Sequence, residues 1–333
     1  MAPQTPLNLN EPLSKDSKST LEQVPLTPEL ATAGLTLHGD YYRQSQAKFN
    51  KYLVWHPYSL AFVAAATSIY GYLQFAKVIA ESSSFWEFLY SPSTISRAMI
   101  TLPGVLFGLA CVGLFSHLVS DDFKTITDNL EISTYSTAIF GFDLIKFANL
   151  PIFKKLSDDK AAYDNGENTS VIIYRDSPIA IATVTPLEEQ SDESNFVVQI
   201  SGLHVRKVFA KVDFDEMLLE WALTRAKFLA NTNPKYKDAK VTVLTDAYSF
   251  DSQRIKLLKS NFFEKVKSSR TLNPFSTIIQ AEKELEGLVK KKNPNTNSTF
   301  FGIRPEVLTS IFDASRITYS LTINRKVPIE EIK

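Results

Sequence analysis

The residues from Ala98 to Val119 read AMITLPGVLFGLACVGLFSHLV. This stretch contains no charged residue, and it is flanked by Arg97 on one side and by Asp121 and Asp122 on the other. About 20 apolar residues, at about 1.5 Å of rise per residue, suffice for an α-helix to cross a bilayer. The alternative is a buried core helix of a water-soluble protein, which the length of the stretch disfavours. The stretch therefore predicts a membrane span.

A second uncharged stretch lies upstream, from Tyr58 to Ala76, and reads YSLAFVAAATSIYGYLQFA. Two such stretches predict a membrane hairpin over residues 41–120, with spans at about 58–76 and 98–119. The segment before the first span reads YYRQSQAKFNKYLV and contains Arg43, Lys48 and Lys51 among tyrosines, which is typical of a membrane interface. Positive residues in the short flanks favour a topology in which both termini lie in the cytosol.

Small residues recur within the second span. Gly104 and Gly108 form a GxxxG pair, and Gly113 follows them. Small residues let helices approach closely in lipid, so these glycines form a candidate docking face for another membrane protein. The alternative is packing inside the hairpin, against small residues of the first span.

Composition excludes several classes of function. Lys+Arg and Asp+Glu are equal in number, at 36 each, so no basic surface for nucleic acid is indicated. The single cysteine, Cys111, permits no disulfide within the chain, and the four histidines do not pair at the spacing of metal ligands. No hydrolase, nucleotide-binding or metalloprotease motif is present. We therefore predict no catalytic residues, no metal and no cofactor.

Outside the hairpin, the pattern predicts a disordered tail over residues 1–40 and an α/β domain over residues 121–333, with a C-terminal extension. Strand patterns alternate with helix patterns in the second part, which predicts a mixed sheet with helices packed on it. An amphipathic helix is expected from Asp213, with Asp213 as its N-cap and Glu216 completing a capping box. A final strand, Arg316–Ile323, is expected to pair at the sheet edge.

The order of these elements resembles the GNAT N-acetyltransferase fold. In that family a glycine-rich turn precedes a helix whose first amides bind the pyrophosphate of acetyl-CoA. The corresponding residues here are Ala210, Lys211, Val212, Asp213, Phe214 and Asp215, and none is glycine. The side chains of this degenerate loop, with Lys211, Asp213 and Asp215, occupy the place of a phosphate, and the carboxylate of Asp213 is expected to take over its role at the helix start.

A later segment, RIKLLKSNFFEKV, resembles another GNAT helix, which usually carries a tyrosine and then a glycine. Leu258 stands near the position of that tyrosine, a possible general acid, and Asn261 stands where glycine is usual. The resemblance therefore implies a pseudoenzyme more than an enzyme.

The whole layout also resembles a fungal family of endoplasmic-reticulum membrane proteins, the packaging chaperones of the plasma-membrane inorganic phosphate transporter. The segment LHGDYYRQSQAKF at Leu37–Phe49 and the pair His56–Pro57 before the first span carry this resemblance. It implies a multi-pass protein that assists the exit of a polytopic phosphate transporter from the endoplasmic reticulum, with vesicle-coat components as further partners. Two spans are too few for a solute pathway of the usual transporter type.

The sequence is also compatible with two other functions. One is a membrane-anchored acyl-CoA-dependent N-acyltransferase with a divergent cofactor loop. The other is a hairpin that only shapes the membrane, for which the α/β domain would be dispensable.

Overall fold

A computed structural model describes residues 21–90, 92–150, 164–236, 239–275 and 305–323. Within them, seven strands form one sheet in the order β1-β2-β3-β4-β5-β7-β6. The strands are β1 Leu21–Pro25, β2 Thr169–Tyr174, β3 Ser177–Pro186, β4 Asn195–Val205, β5 Lys240–Tyr248, β6 Glu264–Ser269 and β7 Arg316–Ile323. Neighbouring strands are antiparallel except β4 and β5, which are parallel. The predicted mixed α/β sheet is confirmed.

The helices of the described residues follow the same chain order. They are α1 Ala31–Val54, α2 Pro57–Glu81, α3 Phe85–Tyr90, α4 Pro92–Val119, α5 Asp121–Asp128, α6 Ser133–Phe140, α7 Leu144–Ala148, α8 Phe214–Thr232, α9 Ser252–Ser260 and α10 Pro305–Ile311. The expected helix from Asp213 is α8, which connects the parallel strands β4 and β5 as such a crossover requires.

The sheet is covered on both faces by separate hydrophobic clusters. On one face α8 buries Leu218, Ala222 and Ala226 against β3, β4 and β5. On the other face α1 packs with α5, α6 and α7 on β3 and β4. The domain is therefore three layers deep, with the sheet between two layers of helices.

The position of helix α1 shows that two predictions from the sequence are wrong. Residues 21–40 are not disordered, because β1 pairs with β2 and α1 begins at Ala31. Residues 41–54 are not a membrane-interface segment, because the same helix continues to Val54 and buries Leu37, Tyr42 and Phe49 in the domain core. The predicted disorder of residues 1–20 lies outside the described residues.

The hairpin is consequently an insertion into the α/β domain. β1 and α1 precede it in the chain, and the rest of the sheet follows it. A domain starting at residue 121 would lack one strand and the longest helix on one face of the sheet.

Two helices of the hairpin are long and apolar enough to cross a membrane. These stretches are Pro57–Glu81 and Leu102–Val119, and only 6% and 22% of their most apolar windows are buried. α2 and α4 pack side by side in opposite directions, because Val63 faces Gly108 while Tyr70 faces Gly104. At the far end of the hairpin, α3 exposes Phe85, Trp86 and Tyr90.

The last strand differs from its predicted place. β7 lies between β5 and β6 and pairs with both, so it is not an edge strand. β7 buries Ile317, Tyr319 and Ile323, whereas β6 reads EKVKSS and is almost wholly exposed. The charged strand takes the edge, where lysine side chains oppose further strand pairing.

Candidate functional site

The loop before α8 contains no glycine and folds as a short 3-10 turn, Lys207–Phe209. Val208 at its tip is 88% exposed, and Lys211 and Asp213 are exposed as well. Asp213 occupies the N-cap position, but its side chain makes no hydrogen bond to the helix amides. Its backbone angles, φ −67° and ψ 38°, are not the extended ones from which an N-cap side chain reaches back. The predicted capping box, and the role given there to the Asp213 carboxylate, are therefore wrong.

Acidic side chains nevertheless crowd the start of α8. Asp215 and Glu216 lie in its first turn. Burial raises the pKa of the Asp215 carboxyl, and the positive charge of Arg254 partly opposes that shift. Negative charge at this position would repel an anionic ligand.

The parallel strands β4 and β5 part beyond their last pair. Their pairing ends at Ile200 and Thr245, although β4 continues to Val205 and β5 to Tyr248. Arg254 on α9 bridges the gap: its Nη1 donates to the carbonyl of Leu203 at 3.0 Å and its Nη2 to the hydroxyl of Thr245 at 3.4 Å. The Arg254 side chain thus satisfies a backbone carbonyl of β4 and bonds a side-chain hydroxyl of β5.

A cavity of about 410 Å³ opens beside this gap, on the α1 face of the sheet. Its walls carry aromatic rings from α1, β5 and the loop after β6, together with three charged groups: Arg254, Arg316 and Asp246. The Asp246 carboxylate accepts hydrogen bonds from Arg316 at 2.9 Å and from the Thr318 hydroxyl at 2.7 Å. Burial raises the pKa of Tyr41, another wall residue, to about 12.

Two histidines lie deep between α1 and β4. His38 is fully buried, and its Nε2 lies 3.5 Å from the Thr183 hydroxyl. His204 is 5% exposed, and its Nε2 lies 3.4 Å from the Gln44 amide nitrogen. Burial lowers the pKa of each to about 3, and nearby positive charges add to the shift for His204. Both side chains are structural in this environment.

The glycines of the second span have different surroundings. A Cβ on Gly104 would lie 2.5 Å from Tyr70 Cδ1, and a Cβ on Gly108 would lie 3.6 Å from Val63 Cγ1. A Cβ on Gly113 would have no such neighbour within 4 Å, so this glycine faces open space. Gly104 and Gly108 thus allow close packing of α2 on α4, and the docking role of all three glycines stays a prediction.

The remaining sequence-predicted positions are structural. Leu258 is fully buried within α9, and Asn261 ends that helix with φ −98°. The left-handed backbone conformation falls one residue later, at Phe262, with φ 61°. Across the described ranges, no group of three or more His, Cys, Asp or Glu side chains could hold a metal ion. Sequence reasoning missed Arg254, because its partner Leu203 lies 51 residues away in the chain.

Fold and site together define an α/β protein that carries a hairpin of two candidate membrane spans and whose expected cofactor loop lacks every glycine. The chain belongs to the family described as the inorganic phosphate transporter chaperone Pho86, whose sequence profile matches residues 3–323. This membership confirms the resemblance stated above and supports a chaperone role. A comparison with curated proteins gives no match.

The solved structures that are similar to this chain include N-acetyltransferases. Arabidopsis thaliana Naa50 in complex with a bisubstrate analogue shares 12% identity over 53% of this chain and 86% of its own, with a TM-score of 0.29. The Escherichia coli ribosomal-protein-S18-alanine N-acetyltransferase shares 13% identity over 52% of this chain and 81% of its own, with a TM-score of 0.28. At these sequence identities and TM-scores, the similarity assigns neither a substrate nor an activity to this chain.

Proposed function

We propose that this protein is a non-catalytic chaperone of the endoplasmic-reticulum membrane that assists the folding or exit of a polytopic inorganic phosphate transporter. The family membership over residues 3–323 carries the proposal. The hairpin supports it, because two long apolar helices with few buried residues place a large surface where a membrane client can reach it. Vesicle-coat components are further partners in this proposal.

The insertion of the hairpin supports a topology with both termini on one side of the membrane. β1 and α1 enter the hairpin and α5 leaves it, yet both parts belong to one sheet and its helices. A chain that crosses twice returns to the side from which it started, so the whole α/β domain lies on that side. The flanking lysine and arginine residues favour the cytosol.

Absence of catalysis is supported by the loop and by the strand gap. A loop without glycine does not let backbone amides approach a pyrophosphate closely. Arg254 already bonds groups of both strands at the gap. We expect calorimetric titration of the full-length protein in mild detergent with acetyl-CoA to show no binding.

The alternative is a membrane-anchored N-acyltransferase with a divergent cofactor loop. The 410 Å³ cavity beside the β4–β5 gap is the observation that favours it. Micromolar affinity for acetyl-CoA in the same titration would overturn the non-catalytic assignment in its favour.

Cells that lack the protein test the chaperone role. We expect a fluorescently tagged phosphate transporter to stay in the endoplasmic reticulum there, while an unrelated polytopic transporter reaches the cell surface. Re-expression of the full-length protein should restore delivery. Normal delivery of the phosphate transporter without the protein would contradict the proposal.

The client-docking hypothesis for the second span continues as part of the proposal. Gly104 and Gly108 face the first span, so their contribution to docking would be to fix the shape of the hairpin. Gly113 faces open space and is the glycine that a client helix could contact directly.

A further inference from the structure

An apolar groove lies where the hairpin meets the α/β domain. It has a volume of about 420 Å³ and is lined by Ser59 and Phe62 of α2, by Cys111 and Phe115 of α4, and by Phe312 after α10. Ser59 is near the start of α2, and Cys111 precedes the end of α4 by about two turns, which is about 11 Å along the axis. The groove therefore lies within the candidate spans, at the end nearest the domain.

Small side chains create the groove. Ser59 is 6% exposed and Cys111 is partly buried, whereas Phe62 and Leu114 beside them stand 54% and 62% exposed. A depression between large side chains leaves its lining without packing partners on the open side. Small residues flanked by large ones are the arrangement that lets a second membrane helix insert a side chain.

The domain fixes one wall of this groove. The Tyr52 hydroxyl of α1 donates to the carbonyl of Phe312 at 2.7 Å. The Phe312 ring packs against His56 and Phe115, with ring centroids 5.0 and 5.7 Å apart. Any occupant of the groove therefore contacts the two spans and the α/β domain at once.

A protein helix suits this groove better than a lipid acyl chain. Lipid tails are as apolar as the groove, so exchanging one for another brings no hydrophobic gain, whereas a helix gains packing against fixed walls. The family description names a transporter as the client, and a transporter presents apolar helices at this depth. We propose that the Ser59–Cys111 groove receives a bulky apolar side chain of a transmembrane helix of the client, an inference that rests on the proposed chaperone function.

The single cysteine of the chain makes the test specific, because a thiol-reactive benzophenone labels Cys111 alone. The matched control is the double variant Cys111→Ser, Leu60→Cys. Leu60 is 45% exposed at a similar depth of α2 and does not line the groove. Both labelled full-length proteins are irradiated in membranes that contain the tagged phosphate transporter.

We expect the label at Cys111 to crosslink to the transporter and the label at Leu60→Cys to crosslink mainly to lipid. Crosslinks to lipid alone at Cys111, with the transporter still co-purifying, would overturn the groove assignment and leave the chaperone function standing. Equal crosslinking from both positions would also overturn it. Failure of the unlabelled protein to retain the transporter would overturn the chaperone function, and the groove assignment with it.

A second variant tests the same contact without a label. Ser59→Trp fills the groove, and we expect it to lower the amount of co-purified transporter about tenfold. This corresponds to a loss of about 1.4 kcal/mol of binding free energy. Leu60→Trp adds the same side chain outside the groove and should retain the transporter. Equal retention by the two variants, each monodisperse in detergent, would contradict the proposal.

Discussion

At Gly202 of β4, the absence of a side chain makes room for a histidine of α1, which packs on this face of the sheet. A Cβ at this position would overlap Cε1 of His38, which is fully buried between α1 and β4. The sequence shows a glycine inside a strand, which indicates a close approach without naming the partner. Only the packing of α1 on the sheet reveals the partner.

Substitution of this glycine tests the contact directly. Gly202→Ala should lower the free energy of unfolding by about 1–3 kcal/mol, because the methyl group overpacks a filled core. Gly113→Ala is the control, since an added Cβ there would have no neighbour within 4 Å apart from the backbone of its own helix. Urea unfolding of both proteins in detergent, followed by far-UV circular dichroism, measures the difference. Equal stability of Gly202→Ala and the wild type would contradict the packing of His38 on β4.

The two buried histidines predict a pH dependence of stability. Burial lowers the pKa of His38 and of His204 from 6.5 to about 3, so the unfolded chain binds more protons between these values. The free energy of unfolding should therefore be highest above pH 6.5 and fall as the pH decreases toward 3, by up to about 1.4 kcal/mol per pH unit for each histidine.

Urea unfolding at pH 7.5 and pH 5.5 measures this slope. His204→Gln should reduce it, because only the contribution of His38 then remains. The same slope in His204→Gln as in the wild type would show that this histidine is not buried in its neutral form.

At the scale of elements, the sequence predicts the strongly patterned parts and misses α1 and β1. The two apolar helices and the strands β2 to β5 follow from uncharged length and from clusters of β-branched residues. α1 buries Gly34, His38, Gly39 and Ser45 beside its apolar residues, so its buried face does not show as a hydrophobic stripe. β1 is the five residues LEQVP, too short and too polar to predict without its partner β2.

The placement of β7 and the Arg254 bridge could not be predicted from the sequence either, because both depend on segments that are distant in the chain. β7 forms between β5 and β6 because its alternating pattern suits an interior strand, and the pattern does not say which strands flank it. Arg254 reaches Leu203 only after β4, β5 and α9 have assembled. Contacts between distant segments are set by the tertiary structure.

The packing of the hairpin predicts a steric effect at Gly104. Gly104→Leu should separate α2 from α4, because even the Cβ of the new side chain would lie 2.5 Å from Tyr70 Cδ1. Nitroxide labels on Leu73→Cys and Leu102→Cys, both exposed, report the separation through dipolar broadening in a Cys111→Ser background.

Gly113→Leu, with open space around it, should leave the same spectrum unchanged. If the docking role of Gly113 holds, Gly113→Leu should instead reduce co-purification of the transporter. Unchanged broadening in Gly104→Leu would contradict the packing of Tyr70 on that glycine.

At the scale of the whole molecule, the domain is built from segments on both sides of the hairpin. Replacing Pro57–His117 with a flexible glycine–serine linker should give a water-soluble protein with a cooperative unfolding transition, because Val119, Phe123 and all of α1 remain in the core. A fragment that starts at Asp121 should lack that transition, because it loses β1 and α1. Scanning calorimetry of both proteins checks the result, and cooperative unfolding of the Asp121 fragment would contradict the assignment of α1 to the domain.

The chaperone function is tested by affinity purification of the tagged full-length protein from mild detergent, with mass spectrometry of the proteins that accompany it. We expect one dominant polytopic partner, an inorganic phosphate transporter, which is absent when an unrelated two-span membrane protein is purified in the same way. A preparation without such a transporter, containing instead a soluble acyl-acceptor protein, would contradict the chaperone function and favour the acyltransferase alternative.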